Sequence, residues 1–241
     1  MEQGMVMDGQ AQTDRKSGLS ALIEIVIIAL PLIVLGVVGT RLGSGTMLGG
    51  AIITLAYVIS VGLAWLLLKR RDSSWKALGL ARPESWRRTL LLAIGTCIAA
   101  LVIIIIVQIV FLNLPGAQVE PIDQSRFVGV EGNVWVFVLM LAASWTTVAF
   151  GEEMIYRAFL MDRLSVVFQP TRTGIALAIA VSGIIFGLIH FVEGPLGIVS
   201  NGAFGMLFAW IYVRFGRNLW ITIIAHALLN TLRFILIFGT M

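Results

Sequence analysis

The sequence predicts an all-α fold: a polytopic membrane helix bundle of about seven transmembrane helices (six to eight). Three observations carry this. First, 59% of the 241 residues are hydrophobic and 12% charged, with a mean hydropathy of +0.97. A soluble domain averages about 45–50% apolar and about 25% charged, so a soluble globular fold and a disordered chain are both excluded. Second, the apolar residues fall into runs that suit spanning helices of about 20 residues. Third, alternating segments of about ten residues, the mark of a transmembrane barrel, are not visible. The length leaves no room for a sizeable soluble domain. The chain divides into a polar N-terminal tail, 1–18, and one multi-pass membrane domain, 19–241.

The tail carries Glu2, Asp8, Asp14, Arg15 and Lys16 and reads as mobile. The run 19–39 is too long for a signal-peptide core and no small-residue cleavage site follows, so it reads as a retained first span. Glu24 and Pro31 interrupt it. Further spans fit at 46–68, 89–112, 134–150, 174–191, 196–213 and 219–238. Residues 69–88 hold Lys69, Arg70, Arg71, Lys76, Arg82, Arg87 and Arg88 against only Asp72 and Glu84. Lys and Arg collect on the cytoplasmic side, so this loop is expected inside. The loop 113–133, with Glu120, Asp123 and Glu131 against Arg126, is expected outside. Arg163, Arg172, Arg214 and Arg217 then fall inside. The result is a cell-membrane protein with a cytoplasmic N-terminus and an external C-terminus. The basic loops read as topology and contact with the lipid bilayer. No aromatic–basic platform for nucleic acid is present, so no nucleic-acid partner is expected. The single cysteine, Cys97, excludes an internal disulfide and a Cys-rich metal site.

Ionisable groups in apolar spans are costly and are the default functional candidates. Glu152 and Glu153 follow the fourth apolar run directly. His190 ends the fifth, and His226 and Asn230 lie four apart in the last. Asn201 is a weaker candidate in the sixth. At about 100° per residue, Glu153 and Arg157 lie one turn apart on one helix face and can pair. Glu152 points elsewhere and is left for chemistry. Phe186 shares a face with His190, and His226 shares one with Asn230. The chain is expected to reverse near Gln169-Pro170-Thr171-Arg172, which sets Glu152 and His190 at about the same height in an antiparallel pair. His226, only about 12 Å beyond its own turn, disagrees with that depth unless 157–172 projects into the cytoplasm or the helix unwinds locally.

A buried carboxylate suits a general base, and a histidine can hold and polarise a water. A His–Asn pair offers donors to an oxyanion. Glu, His and His also form a zinc set, although the HExxH spacing is absent. The bland alternatives are a structural Glu153–Arg157 pair, packing histidines and a proton path.

Glu152-Glu153-x-x-x-Arg157, Phe186-x-x-x-His190 and His226-x-x-x-Asn230, in this order, resemble the three motifs of the CPBP intramembrane proteases. That family includes the type II CAAX prenyl endopeptidases and the bacterial Abi and bacteriocin-processing proteins. The resemblance covers roughly 145–235; the first three spans carry no recognised motif. It implies a glutamic-type intramembrane endopeptidase acting on a peptide or membrane-protein substrate. Glu152 and His190 would activate water, and His226 and Asn230 would hold the oxyanion. Glu153, Arg157 and Phe186 would support the site. No cofactor is expected; zinc at Glu152, His190 and His226 is the competing reading. The alternatives from other classes are a non-catalytic bacteriocin-immunity or regulatory binding protein and a proton-coupled transporter. The resemblance fixes neither the substrate nor the oligomeric state.

Overall fold

A computed structural model describes the backbone of residues 2–43, 46–117 and 133–240, and side chains over 17–43, 46, 48–117 and 133–236. Among these residues every regular element is helical. The order is α1 (Glu2–Arg41), α2 (Met47–Lys69), α3 (Trp86–Leu112), α4 (Val134–Val167), α5 (Arg172–Leu188), α6 (Gly194–Arg214) and α7 (Leu219–Thr240). Six of them contain stretches long and apolar enough to cross a bilayer, the first beginning at Ser17, while the seventh apolar helix, α5, has 17 residues. The expected external loop, with Glu120, Asp123, Arg126 and Glu131, lies mostly outside the described residues. The chain is a multi-pass membrane protein, and its surface agrees. Leu19, Ile23, Val26 and Leu30 of α1 and Ile94, Ile98, Ile105 and Ile109 of α3 are all exposed. So large an apolar surface suits lipid, not water.

Side-chain caps start most of these helices where the sequence offers a hydroxyl or amide. Thr46 accepts from Gly49 N, Ser85 from Arg88 N, Asn133 from Val136 N and Thr171 from Gly174 N. Each satisfies one of the amides a helix start leaves unpaired. The chain turns at Gln169-Pro170-Thr171, as expected.

Helix α4 departs most from the sequence reading. It was expected over 134–150, and it continues without a break to Val167, 34 residues in all. The charged residues that end its apolar run do not end the helix, because they do not face lipid. Every residue from Gly151 to Met161 is buried. This stretch is the central helix of the bundle, packed against α2, α5, α6 and α7. Two wide π-type turns, Ser144–Ala149 and Glu153–Leu160, lie within it. Such turns are often found at functional sites.

Small residues let α5 and α6 approach closely. A Cβ added at Gly187 would lie 2.5 Å from the Ile198 carbonyl oxygen and 3.0 Å from Gly202 Cα. In membranes, where burial from water does not drive helices together, such close packing holds them.

Loops at one end of the bundle are tied together. Gly79, at φ +97, sits with its Cα against the Arg217 carbonyl, where a Cβ would lie 1.7 Å from the oxygen. Tyr212 Oη donates to Leu78 O at 2.8 Å. Glu24 does not merely interrupt α1: it accepts from Arg71 Nε at 2.9 Å and pairs with Arg163 Nη1 at 3.3 Å. Arg163 also pairs with Asp162, and Arg217 Nη1 lies 3.9 Å from Asp162 Oδ1.

That last contact resolves the depth disagreement. Arg217 reaches Asp162 rather than the 169–172 turn, and Glu152 lies ten residues from Asp162 and His226 nine from Arg217, about 15 and 13.5 Å at 1.5 Å per residue. The helix does overrun the α6–α7 turn, but only after Asp162. The expectation of a solvated segment starting at 157 fails: Arg157 is 0% and Arg163 6% exposed.

Candidate active site

Helix α4 presents two adjacent carboxylates to the bundle interior. In a helix at the periphery their roughly 100° separation would turn one of them toward lipid. At the centre both face protein, and Glu152 is 4% and Glu153 0% exposed.

The pairing expected from the i,i+4 spacing is present. Arg157 Nε lies 3.2 Å from Glu153 Oε2, with both side chains fully buried. The guanidinium sits among three rings, 4.3 Å from the Phe186 centroid, 5.4 Å from Phe208 and 5.6 Å from Phe204. These faces take the place of water around the cation; such contacts are worth about 2 kcal/mol when desolvated.

The other oxygen of Glu153 does something the sequence reading did not foresee. Oε1 accepts from His226 Nδ1 at 2.9 Å. A carboxylate at Nδ1 orients the ring and turns Nε2 toward Glu152. His226 Nε2 in turn lies 3.8 Å from Glu152 Oε2. His226, 6% exposed, is thus placed between the two carboxylates, with the Phe204 ring edge-on to it at 5.2 Å.

Glu152 is free of Arg157, as the azimuth predicts, but it has a partner from another helix. Tyr57 Oη, from α2, donates to Glu152 Oε1 at 2.8 Å. Glu152 Oε2 carries no hydrogen bond among the described residues. One oxygen is held and the other faces a histidine nitrogen.

Asn230 lies one turn beyond His226 on α7, and its Nδ2 donates to Ser144 Oγ at 2.9 Å. The two therefore line the same seam between α4 and α7.

His190 stands apart. It lies just past the end of α5 rather than within an apolar helix, where the chain turns through Phe191–Glu193 into α6. Its Nδ1 is bonded to Phe186 O at 2.8 Å, and its ring lies 4.9 Å from that of Phe186. Among the described residues it makes no ion pair or hydrogen bond with either carboxylate. The register explains this. Ser182 Oγ donates to Tyr156 O at 3.4 Å, so the two residues are level. His190 then stands about 12 Å and Glu152 about 6 Å above them, one turn apart rather than at equal height. Phe186 joins the two regions, touching both Arg157 and His190.

A zinc site needs three ligands converging within about 2 Å of one point. Among the described residues no three His, Cys, Asp or Glu side chains are so grouped. Glu152, His190 and His226 as arranged do not fit that set. Asn201, in α6, bonds Glu193 Oε2 at 3.1 Å and Gly197 O at 2.9 Å, in a separate polar cluster.

Tyr57 and Ser144 are the site contacts that the sequence reading missed. Tyr57 had one available signal: it is among three tyrosines in the chain, and all three lie in membrane spans.

Residues 133–232 match the family model described as Type II CAAX prenyl endopeptidase Rce1-like. The matched segment runs from the cap of α4 into α7 and holds all three motifs. The likeness read from those motifs is thereby borne out over this segment. No curated protein and no solved structure matches the chain.

Proposed function

We propose that this chain, whose residues 133–232 match the Rce1-like type II CAAX prenyl endopeptidases, hydrolyses a peptide bond of a peptide or membrane-protein substrate within the bilayer, with Glu152 as the general base. One observation carries the reading: Glu152 Oε2, free of hydrogen bonds among the described residues, lies 3.8 Å from His226 Nε2, an acceptor when the ring's proton sits on Nδ1 against Glu153. Two acceptors so placed are satisfied by one molecule that donates two hydrogens, and water is that molecule. Held by both O–H bonds, its oxygen lone pairs point outward, toward a substrate carbonyl. Glu152 takes a proton as the oxygen attacks. Glu153 and Arg157 fix His226 in place, as the Nδ1 bond requires. Asn230, on the same face as His226, offers its amide to the developing oxyanion. His190, whose Nδ1 is held by the Phe186 carbonyl, acts from the neighbouring turn, polarising the water or the scissile carbonyl when substrate is bound.

The supporting experiment is cleavage of a quenched fluorescent library of membrane-anchored peptides by purified protein in liposomes. Wild type is expected to release fluorescence. A metal-independent site also makes a second prediction. A strong chelator should leave the rate unchanged, whereas a zinc enzyme would lose activity and recover it with added metal. Stoichiometric metal in active protein, removed together with activity, overturns the glutamate reading.

The orientation follows from the clustering of loops. Residues 69–81, 162–172 and 214–218 meet at one end of the bundle, with Lys69, Arg70, Arg71, Lys76, Arg163, Arg172, Arg214 and Arg217 on them. The basic excess supports a cytoplasmic position for that end. A single cysteine introduced at Gly116, in a chain with Cys97 replaced, is expected to react with an impermeant reagent added outside. Reaction only after access from the cytoplasm reverses the topology.

A further inference from the structure

Nothing in the motifs calls on the first three helices, and the matched segment begins only at residue 133. Yet one side chain from that half touches the proposed base. Tyr57 Oη donates to Glu152 Oε1 at 2.8 Å across 95 residues of sequence. We propose that Tyr57 is a positioning residue of the active site, holding one oxygen of Glu152 so that the other faces His226. The proposal rests on the reading of Glu152 as general base.

The need for such a residue follows from the torsions of glutamate. Its last torsion is broad and two-fold, so a carboxylate with no fixed donor turns freely and presents either oxygen. Glu153 is held at one oxygen by the hydrogen bond from His226 and at the other by the ion pair with Arg157. Glu152 has no Arg or Lys partner among the described residues, and the hydrogen bond that holds it there comes from Tyr57. Catalytic geometry is sensitive to small misplacement of the reacting groups.

Tyr57 is itself held. Its ring packs over Gly151, the residue before the base: a Cβ there would lie 3.5 Å from Tyr57 Cδ1 and 3.7 Å from Cγ. One turn further along α2, Ser60 Oγ donates to Ile28 O at 3.0 Å, and its side chain is buried. This bond fixes α2 against α1 at the level of the site. The ring is thus supported from α4 and the helix from α1. The first two helices complete the site rather than merely surrounding it.

The variant to use is Tyr57→Phe in the full chain, which keeps the ring on Gly151 and removes the donor. Loss of a hydrogen bond to a charged group is expected to lower kcat about ten- to hundredfold. KM and the thermal midpoint should stay near wild type. A residue acting through Glu152 has nothing left to act on once the base is gone. In a Glu152→Gln background, Tyr57→Phe should therefore cause no further fall. Unchanged kcat in folded Tyr57→Phe, or an equal fall in both backgrounds, overturns the proposal.

A second readout does not depend on cleavage. The infrared band of Glu152, taken as wild type minus Glu152→Gln, should shift in Tyr57→Phe. With three tyrosines in the chain, the contact also reads from the other side. In ring-labelled protein, one tyrosine C–O band should move on Glu152→Gln, with no change made at Tyr57. Bands that stay in place refute the hydrogen bond whether or not any tested peptide is cut. Shifted bands in a protein that cuts nothing keep the contact and refute the peptidase reading.

Discussion

Arg157→Ala is expected to destabilise the folded chain by about 3–5 kcal/mol, the cost of leaving one partner of a buried ion pair without the other. That is a large part of the roughly 5–15 kcal/mol that keeps a typical domain folded. The geometry makes the upper part of the range reasonable. Both partners are 0% exposed, so water cannot replace the lost guanidinium. Among the described residues the carboxylate left behind would keep the bond from His226 alone. The substitution also empties the space between Phe186, Phe204 and Phe208, which pack on the cation. Lysine would not restore it, because a point charge on a flexible stem does not reproduce a planar group against three rings. Asn230→Ala is the internal comparison. It removes a neutral hydrogen bond from a half-buried side chain to the Ser144 hydroxyl, worth about 1 kcal/mol. The thermal midpoint in detergent should therefore fall much further for Arg157→Ala than for Asn230→Ala. Equal midpoints count against a structural role for the pair.

Glu152→Gln is expected to stop chemistry while leaving the fold intact. Glutamine is nearly the same size and keeps an oxygen to accept from Tyr57. It cannot take a proton from water. General base catalysis is worth about 10²–10⁴-fold, so cleavage should drop at least a hundredfold. The fold should survive because Glu152, unlike Glu153, has no Arg or Lys partner within ion-pair distance among the described residues. Removing its charge leaves no cation stranded. Melting and detergent-phase size should match wild type. A folded variant cutting at near wild-type rate excludes Glu152 as the base.

The two carboxylates show what the sequence could and could not tell. Local geometry was legible: a four-residue spacing on a helix puts Glu153 beside Arg157 whatever the rest of the chain does. The same holds for His226 and Asn230 on one face of α7. Helix count and membrane class were legible too, because composition and run length do not depend on packing. What was not legible is register between helices. The equal height expected for Glu152 and His190 assumed a turn at 169–172 and nothing else. The Ser182–Tyr156 contact shifts α5 by about one turn against it. The meeting of His226 with both carboxylates goes with the α6–α7 turn lying beside Asp162, where Arg217 reaches it across 55 positions. Glu24 read as an interruption of α1 because its partners, Arg71 and Arg163, come from two other elements. Tyr57 was passed over because no spacing rule links α2 to α4.

The central claim is that this chain breaks a peptide bond with a water activated at Glu152. Its most direct test is mass spectrometry of a membrane-anchored peptide incubated with purified wild-type protein in liposomes, beside the Glu152→Gln variant. Hydrolysis predicts two fragments from the wild-type reaction whose masses sum to that of the substrate plus one water, and neither fragment above trace with Glu152→Gln. The same fragments in equal amount from both proteins, or none from wild type across a broad peptide library, would contradict it.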